Sequence, residues 1–166
     1  RAAAAPLDYF FRARIAAISE YPDEWAELVD ALNPLAGELP APLEALRRAW
    51  LVEESQRLQD GRAVSLLDER FHCQLVEATG NREMARLHAE VSEKIRIIRR
   101  LDFTQGPRVA ATYAEHGQIL GAILSRRNEE AQRLLRTHIE VSKAEVRKIT
   151  LHMLHSARQR SAAPLP

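Results

Sequence analysis

A single cysteine, six glycines and an aromatic content of 5% in 166 residues narrow the choices at once. Cys73 alone excludes an internal disulfide and fits a reducing compartment, so the expected location is the cytoplasm. The scarcity of glycine and aromatics, beside abundant Ala, Leu, Arg and Glu, argues against a sheet and for helices. No run approaches ~18 uninterrupted apolar residues, so no membrane span is expected. The opening RAAAAP is too short and too weakly apolar for a secretory signal. Residues 1–6 read as a linker or a cut end, and a start at Arg rather than Met suggests a missing preceding segment. An excess of charge is also lacking, with 24 basic against 23 acidic residues and a formal net charge of +1. That balance gives no overall bias toward nucleic acid, so any DNA contact belongs to another part of the protein.

What is present is helical periodicity. Residues 7–20 carry Leu7, Phe10, Phe11, Ile15 and Ile18 at amphipathic spacing, and Pro22 ends the run. A second short helix is expected from Asp23 to Asn33, followed by the proline-rich connection NPLAGELPAP. Residues 42–59 place Leu43, Leu46, Trp50, Leu51 and Leu58 on one side of a third helix, which Asp60-Gly61 stops. The next helix runs through Leu66, Leu67, Phe71, Leu75, Val76 and Ala78. There Gly80 supplies a left-handed turn and Asn81 a cap for its successor. That successor, residues 82–101, repeats apolar residues at Met84, Leu87, Val91, Ile95, Ile98 and Leu101. After the break at TQGP, a helix from Pro107 to Ser125 presents Val109, Tyr113, Ile119, Leu120 and Ile123. The last begins near Asn128 and carries Leu134, Leu135, Ile139, Val141, Val146, Ile149 and Leu154. The expected fold is all-α, an antiparallel bundle of six or seven helices, in one domain over residues 7–156 with a frayed tail at 157–166.

One stretch in this pattern holds chemistry. In LLDERFHCQLVEATGN, Asp68 and His72 stand one turn apart, within ~40° on one helix face, and could hold the same ion. They sit among the core positions Leu67, Phe71 and Leu75, where an ionised Asp is costly unless something positive is near. A cation would remove that cost, and so would a structural Asp–His hydrogen bond. Cys73 points ~100° away from His72 and reads as a packed thiol rather than a ligand. His116 and His138 each lie near the boundary of an apolar stripe, while His88, His152 and His155 pair with no carboxylate and read as partly solvated imidazoles.

The order of motifs is more specific than any one spacing. The pattern D-x-x-F-H followed by G-N appears as Asp68, Phe71, His72, Gly80 and Asn81. Then come Arg108, Thr112, Glu115, His116, Ile119, Leu120, Ala122 and Ile123, and finally Ala131, Leu135, His138 and Ile139. This set resembles the FCD domain, the C-terminal effector-binding domain of the FadR subfamily of GntR-type bacterial transcriptional regulators, with coverage from about Leu43 to Ser156. The resemblance implies a divalent metal, Zn²⁺ or Ni²⁺ by donor type, held by Asp68, His72, His116 and His138. It implies open coordination positions that a small organic acid fills with its carboxylate. Members commonly show R-x-x-L-E near the domain start. Here Arg12 and Ile15 keep the arginine and the apolar residue but the glutamate is absent. Arg12 is the candidate for the effector carboxylate, with a surface salt bridge as the alternative. Arg96, Arg99 and Arg100 are further candidates on a helix whose charges are expected to form mainly a solvated face.

The function so implied is ligand sensing and dimerisation, not catalysis. A homodimer would pass the state of the bundle to a winged-helix DNA-binding domain that is absent from this chain. Two rivals remain at this point. A metalloenzyme would use an open His₃Asp site, but no general-base partner or paired E-x-x-H motif is legible. A structural helical domain would satisfy the histidines by hydrogen bonds alone.

Overall fold

The computed structural model describes residues 39–104 and 106–146. Over those residues it is all-helical: α1 (Ala41–Trp50), a 3₁₀ turn (Glu54–Gln56), α2 (Gly61–Ala78), α3 (Arg82–Asp102), α4 (Gly106–Leu124) and α5 (Asn128–Val146). Five α-helices are therefore described. The two helices expected at 7–20 and 23–33, with Arg12, His152, His155 and the tail, lie outside the described residues. No described helix is long and apolar enough to cross a membrane.

The helix boundaries follow local chemistry. Asp60 caps α2 by accepting the Ala63 N–H at 2.8 Å, and Asn81 caps α3 by accepting that of Met84 at 3.0 Å. Between them Gly80 turns with φ 76°, a left-handed conformation that glycine adopts without strain. Such short connections fold α2 back along α3 and α4 back along α5, and each pair packs closely. At the far end α2 starts against the end of α3. A Cβ at Gly61 would lie 2.2 Å from the Phe103 carbonyl oxygen, so only glycine fits.

The third expected helix is shorter than its periodicity suggested. It stops at Trp50, and Leu51 and Leu58, expected on its apolar side, are 46% and 45% exposed. The chain is drawn off the helix axis because the Leu58 N–H donates to the Tyr113 hydroxyl at 3.1 Å, while the Arg57 guanidinium lies over the Tyr113 ring. Leu87 and Val141, read as stripe positions of α3 and α5, also face outward at 48% and 40% exposure. They lie at the margins of their stripes, where ~100° per residue carries a side chain past the contact line.

The core forms where α1, α2, α4 and α5 meet, through Leu43, Leu46, Trp50, Val64, Phe71, Leu75, Tyr113, Ile119, Leu120 and Leu135. Its aromatic centre is Trp50, whose ring lies 5.6 Å from Phe71 and 4.9 Å from Tyr113. Polar residues interrupt the same stripes. On α2 the buried series Val64, Asp68, Phe71, Leu75 is regular, with Asp68 in the middle of it. His116 and His138 are 0% and 3% exposed and stand within the inward rows of α4 and α5, not at their edges as the sequence suggested.

Candidate metal centre

Three helices aim one kind of atom at one place. The Nε2 atoms of His116 and His138 are 3.4 Å apart, and those of His138 and His72 are also 3.4 Å apart. Asp68 Oδ1 lies 3.4 Å from His116 Nε2 and 3.7 Å from His72 Nε2. All four donor atoms fall within 4.8 Å of one another, a grouping able to hold a metal ion. Asp68 and His72 come from α2 by their one-turn spacing, His116 from α4 and His138 from α5. The structure thus brings together all four residues singled out from the sequence.

Each imidazole is oriented differently. His116 lies flat on Phe71, with centroids 3.7 Å apart and planes 7° apart, and the Trp50 ring meets it edge-on at 4.2 Å. Its Nδ1 is buried without a hydrogen-bond partner. His138 is oriented by hydrogen bonding, because its Nδ1 lies 2.6 Å from Glu115 Oε2. A carboxylate accepts only, so that contact places the proton on Nδ1 and turns the Nε2 lone pair toward the cluster. His72 packs edge-on against Phe71.

A charged wall stands outside the imidazoles. Arg99 on α3 reaches Asp68 Oδ2 at 2.7 Å, leaving Oδ1 to face the histidines. Arg108 donates to Asp102 at 3.1 Å, to Glu115 at 3.2 Å and to the Ser142 hydroxyl at 3.1 Å, tying α3, α4 and α5 together. Burial alone would raise the Asp68 carboxyl, but the neighbouring His72 and His116 imidazoles and the Arg99 guanidinium hold it well below the carboxylate range. Burial also opposes ionisation of Glu115, and His138 with Arg108 overcomes it and lowers that carboxyl too. For Asp102 burial prevails over Arg108 and pushes the carboxyl up. The His72 and His116 imidazoles are both driven down by burial, His116 far below its usual value, which leaves them neutral as metal ligands must be.

Arg99 corrects one expectation. Its side chain is only 12% exposed and paired with Asp68, whereas Arg96 is 40% exposed and bonded to Glu69, and Arg100 is exposed. Helical periodicity could not reveal this, because Arg99 lies beside the apolar row and is drawn inward by a carboxylate on another helix. Glu115 and Arg108 were quoted as motif residues without roles. Their seven-residue separation puts them on one face of α4, a signal that was available. Cys73 is half-buried and its thiol is pushed up by burial, in keeping with a packed thiol. His88 approaches the Ser92 hydroxyl at 3.5 Å and is lowered to about 4, first by burial and then by the electrostatic influence of His72 and Arg99.

Fold and cluster together define an all-helical domain with a buried Asp/His₃ centre. Comparison with protein families gives a match to the FCD domain over residues 11–141, well over half of the chain. The chain belongs to the FCD domain family. No curated protein matches it, and no solved structure does.

Proposed function

We propose that this chain is the ligand-sensing and dimerisation domain of a FadR-type, GntR-family transcriptional regulator. It binds a divalent metal through Asp68, His72, His116 and His138, together with a small carboxylate effector. The single observation that carries the reading is the convergence of three Nε2 atoms and one carboxylate oxygen in a buried spot. Two donors sharing one ion at ~2.0–2.2 Å stand no more than ~4.4 Å apart; four of the six donor pairs, at 3.4–3.7 Å, fall inside that bound, and the other two lie within 4.8 Å. Three imidazoles with one carboxylate suit Zn²⁺ or Ni²⁺, ions that would act there as a Lewis acid toward an oxygen ligand.

The chain's own residues divide the work. Phe71 and Trp50 exclude water from His116, Glu115 fixes the tautomer of His138, and Arg99 holds Asp68 so that Oδ1 is the oxygen presented. An effector carboxylate adds a charge to this spot, and Arg12 is the proposed second contact for it. An effector changes regulation only through different affinities for two arrangements of the domain. In a homodimer those arrangements space the winged-helix domains differently against DNA half-sites. The protein acts in the cytoplasm and is not an enzyme: both carboxylates nearest the cluster, Asp68 and Glu115, are engaged in holding other groups.

Metal analysis of the purified chain, with a thermal-shift series in Zn²⁺, Ni²⁺ and small carboxylic acids, tests this. A ligand at a hundred times its dissociation constant adds ~2.7 kcal/mol of stability. His138→Ala should abolish both the metal content and the carboxylate shift. A wild-type chain that takes up no divalent ion overturns the reading. Retained metal-dependent turnover of a substrate would convert it to an enzyme.

A further inference from the structure

Arg108 directs its three side-chain nitrogens to three different helices. Nε donates to Asp102 Oδ2 at the end of α3 at 3.1 Å, Nη1 to both oxygens of Glu115 on α4 at 3.2 Å, and Nη2 to the Ser142 hydroxyl on α5 at 3.1 Å. The side chain is only 9% exposed, and its guanidinium lies 5.9 Å from the centre of the Phe103 ring. A lysine, with one nitrogen, could not make these three contacts in three directions. None of the three partners belongs to the proposed ligand set.

Glu115 connects this grip to the centre. Its Oε2 lies 2.6 Å from His138 Nδ1, the contact that turns Nε2 toward the cluster. Yet the Glu115 side chain is 28% exposed, with several rotatable bonds and water within reach, so one bond to an imidazole leaves it free to turn outward. Arg108 Nη1, equidistant from the two carboxylate oxygens, removes that freedom. Ser142 supplies a second link, since it stands one turn beyond His138 on the same face of α5. Through it Arg108 holds α5 against α4 in the turn next to the ligand.

We infer that Arg108 is a positioning residue for the metal centre, acting through Glu115 to set the direction in which His138 presents Nε2. This rests on the metal-sensing reading above and adds to it the residue on which the grip of His138 on the ion depends. Because Arg108 is shared by α3, α4 and α5, a displacement of α3 or α5 against α4 loosens Glu115 and weakens metal binding. By reciprocity, a bound ion favours the seated arrangement of the three helices. An arginine that merely tied helices together would stabilise the fold and leave metal affinity to the ligands.

The test uses the full chain and Zn²⁺ alone, with affinity from chelator competition and urea denaturation to establish that each variant is folded. Arg108→Gln should weaken zinc binding about 10-fold, the low end for a group that orients a metal ligand from behind. In the Glu115→Ala background the same substitution should change zinc affinity by less than about twofold, because the path to His138 is already cut. In the zinc-loaded protein the His138 Nδ1 proton, followed by NMR, should exchange with water faster in the glutamine variant than in the wild type. Equal weakening of zinc binding with and without Glu115 overturns the inference, as does an unchanged His138 proton. Should the glutamine variant fail to fold, Ser142→Ala decides, at a half-buried position. It releases one hold on Arg108 and should weaken zinc binding by at least about twofold with Glu115 present and by less than that without it. Unaltered affinity in that variant overturns the inference. A wild type that binds no zinc overturns the metal-sensing reading itself, whereas zinc binding indifferent to Arg108 overturns only this inference.

Discussion

His116 and His138 point the same nitrogen at the same spot, yet they are held by different physics. His116 is stacked on Phe71 beneath Trp50, and its second ring nitrogen bonds to nothing. His138 has its second nitrogen on Glu115, which Arg108 ties to Asp102 and Ser142. Shape orients the first ring and hydrogen bonding the second. Packing forces are non-directional and collective, so disturbing the aromatic wall should cost the fold. The polar wall is directional, so disturbing it should cost the centre more than the fold.

The largest expected effect breaks the aromatic side. Phe71→Ala removes a fully buried ring from the core and should lower unfolding free energy by about 3–5 kcal/mol, read by urea denaturation of the metal-free chain. If the variant loses under 1 kcal/mol, His116 is not held by stacking. A smaller effect, on a different observable, belongs to the polar side. Glu115→Ala should weaken metal binding by about 10- to 100-fold with only a minor change in denaturation midpoint. Destabilisation as great as that of Phe71→Ala would erase the distinction between the two walls.

A third effect, spread over three residues, concerns pH and sharpens the contrast from the histidine side. In the metal-free chain, His72, His88 and His116 carry pKa values lowered by burial, so the unfolded state binds more protons once pH drops below ~6.5. The stability these groups contribute is fully present above that pH and declines as pH falls toward their folded values. The slope is at most about 1.4 kcal/mol per pH unit for each histidine. Asp68, whose pKa is lowered, adds nothing to this window, because its contribution is lost only as pH falls below the ordinary Asp range. Melting temperatures between pH 8 and 5 should be flat and then fall. A midpoint that rises on acidification would mean that the cluster takes up protons more readily folded than unfolded.

The sequence made part of this legible. Gly80 and Asn81 mark the end of α2 and the start of α3 because caps and left-handed turns are local chemistry, whereas Asp60, read as the stop of the helix before it, instead caps α2. Asp68 and His72 could be paired because helical geometry fixes their spacing. His116 and His138 could be joined to them only through motif order, since nothing local says which faces of two distant helices meet. The end of α1 at Trp50 escaped because its cause, the Leu58 bond to Tyr113, bridges 55 residues. Arg99 escaped for the same kind of reason, its inward turn being a response to Asp68 on another helix.

Gly61 has a consequence for how the centre tolerates change. The first turn of α2 rests against the Phe103 carbonyl so closely that a single added methyl group would push backbone from backbone. Asp68 lies two turns along the same rod, and Arg99 one turn before the end of the other. Position 61 thus works as a spacer of zero thickness, a contact point about which the carboxylate and its guanidinium are kept in register. A residue with no side chain, far from any ligand atom, sets the gap across which the buried ion pair closes.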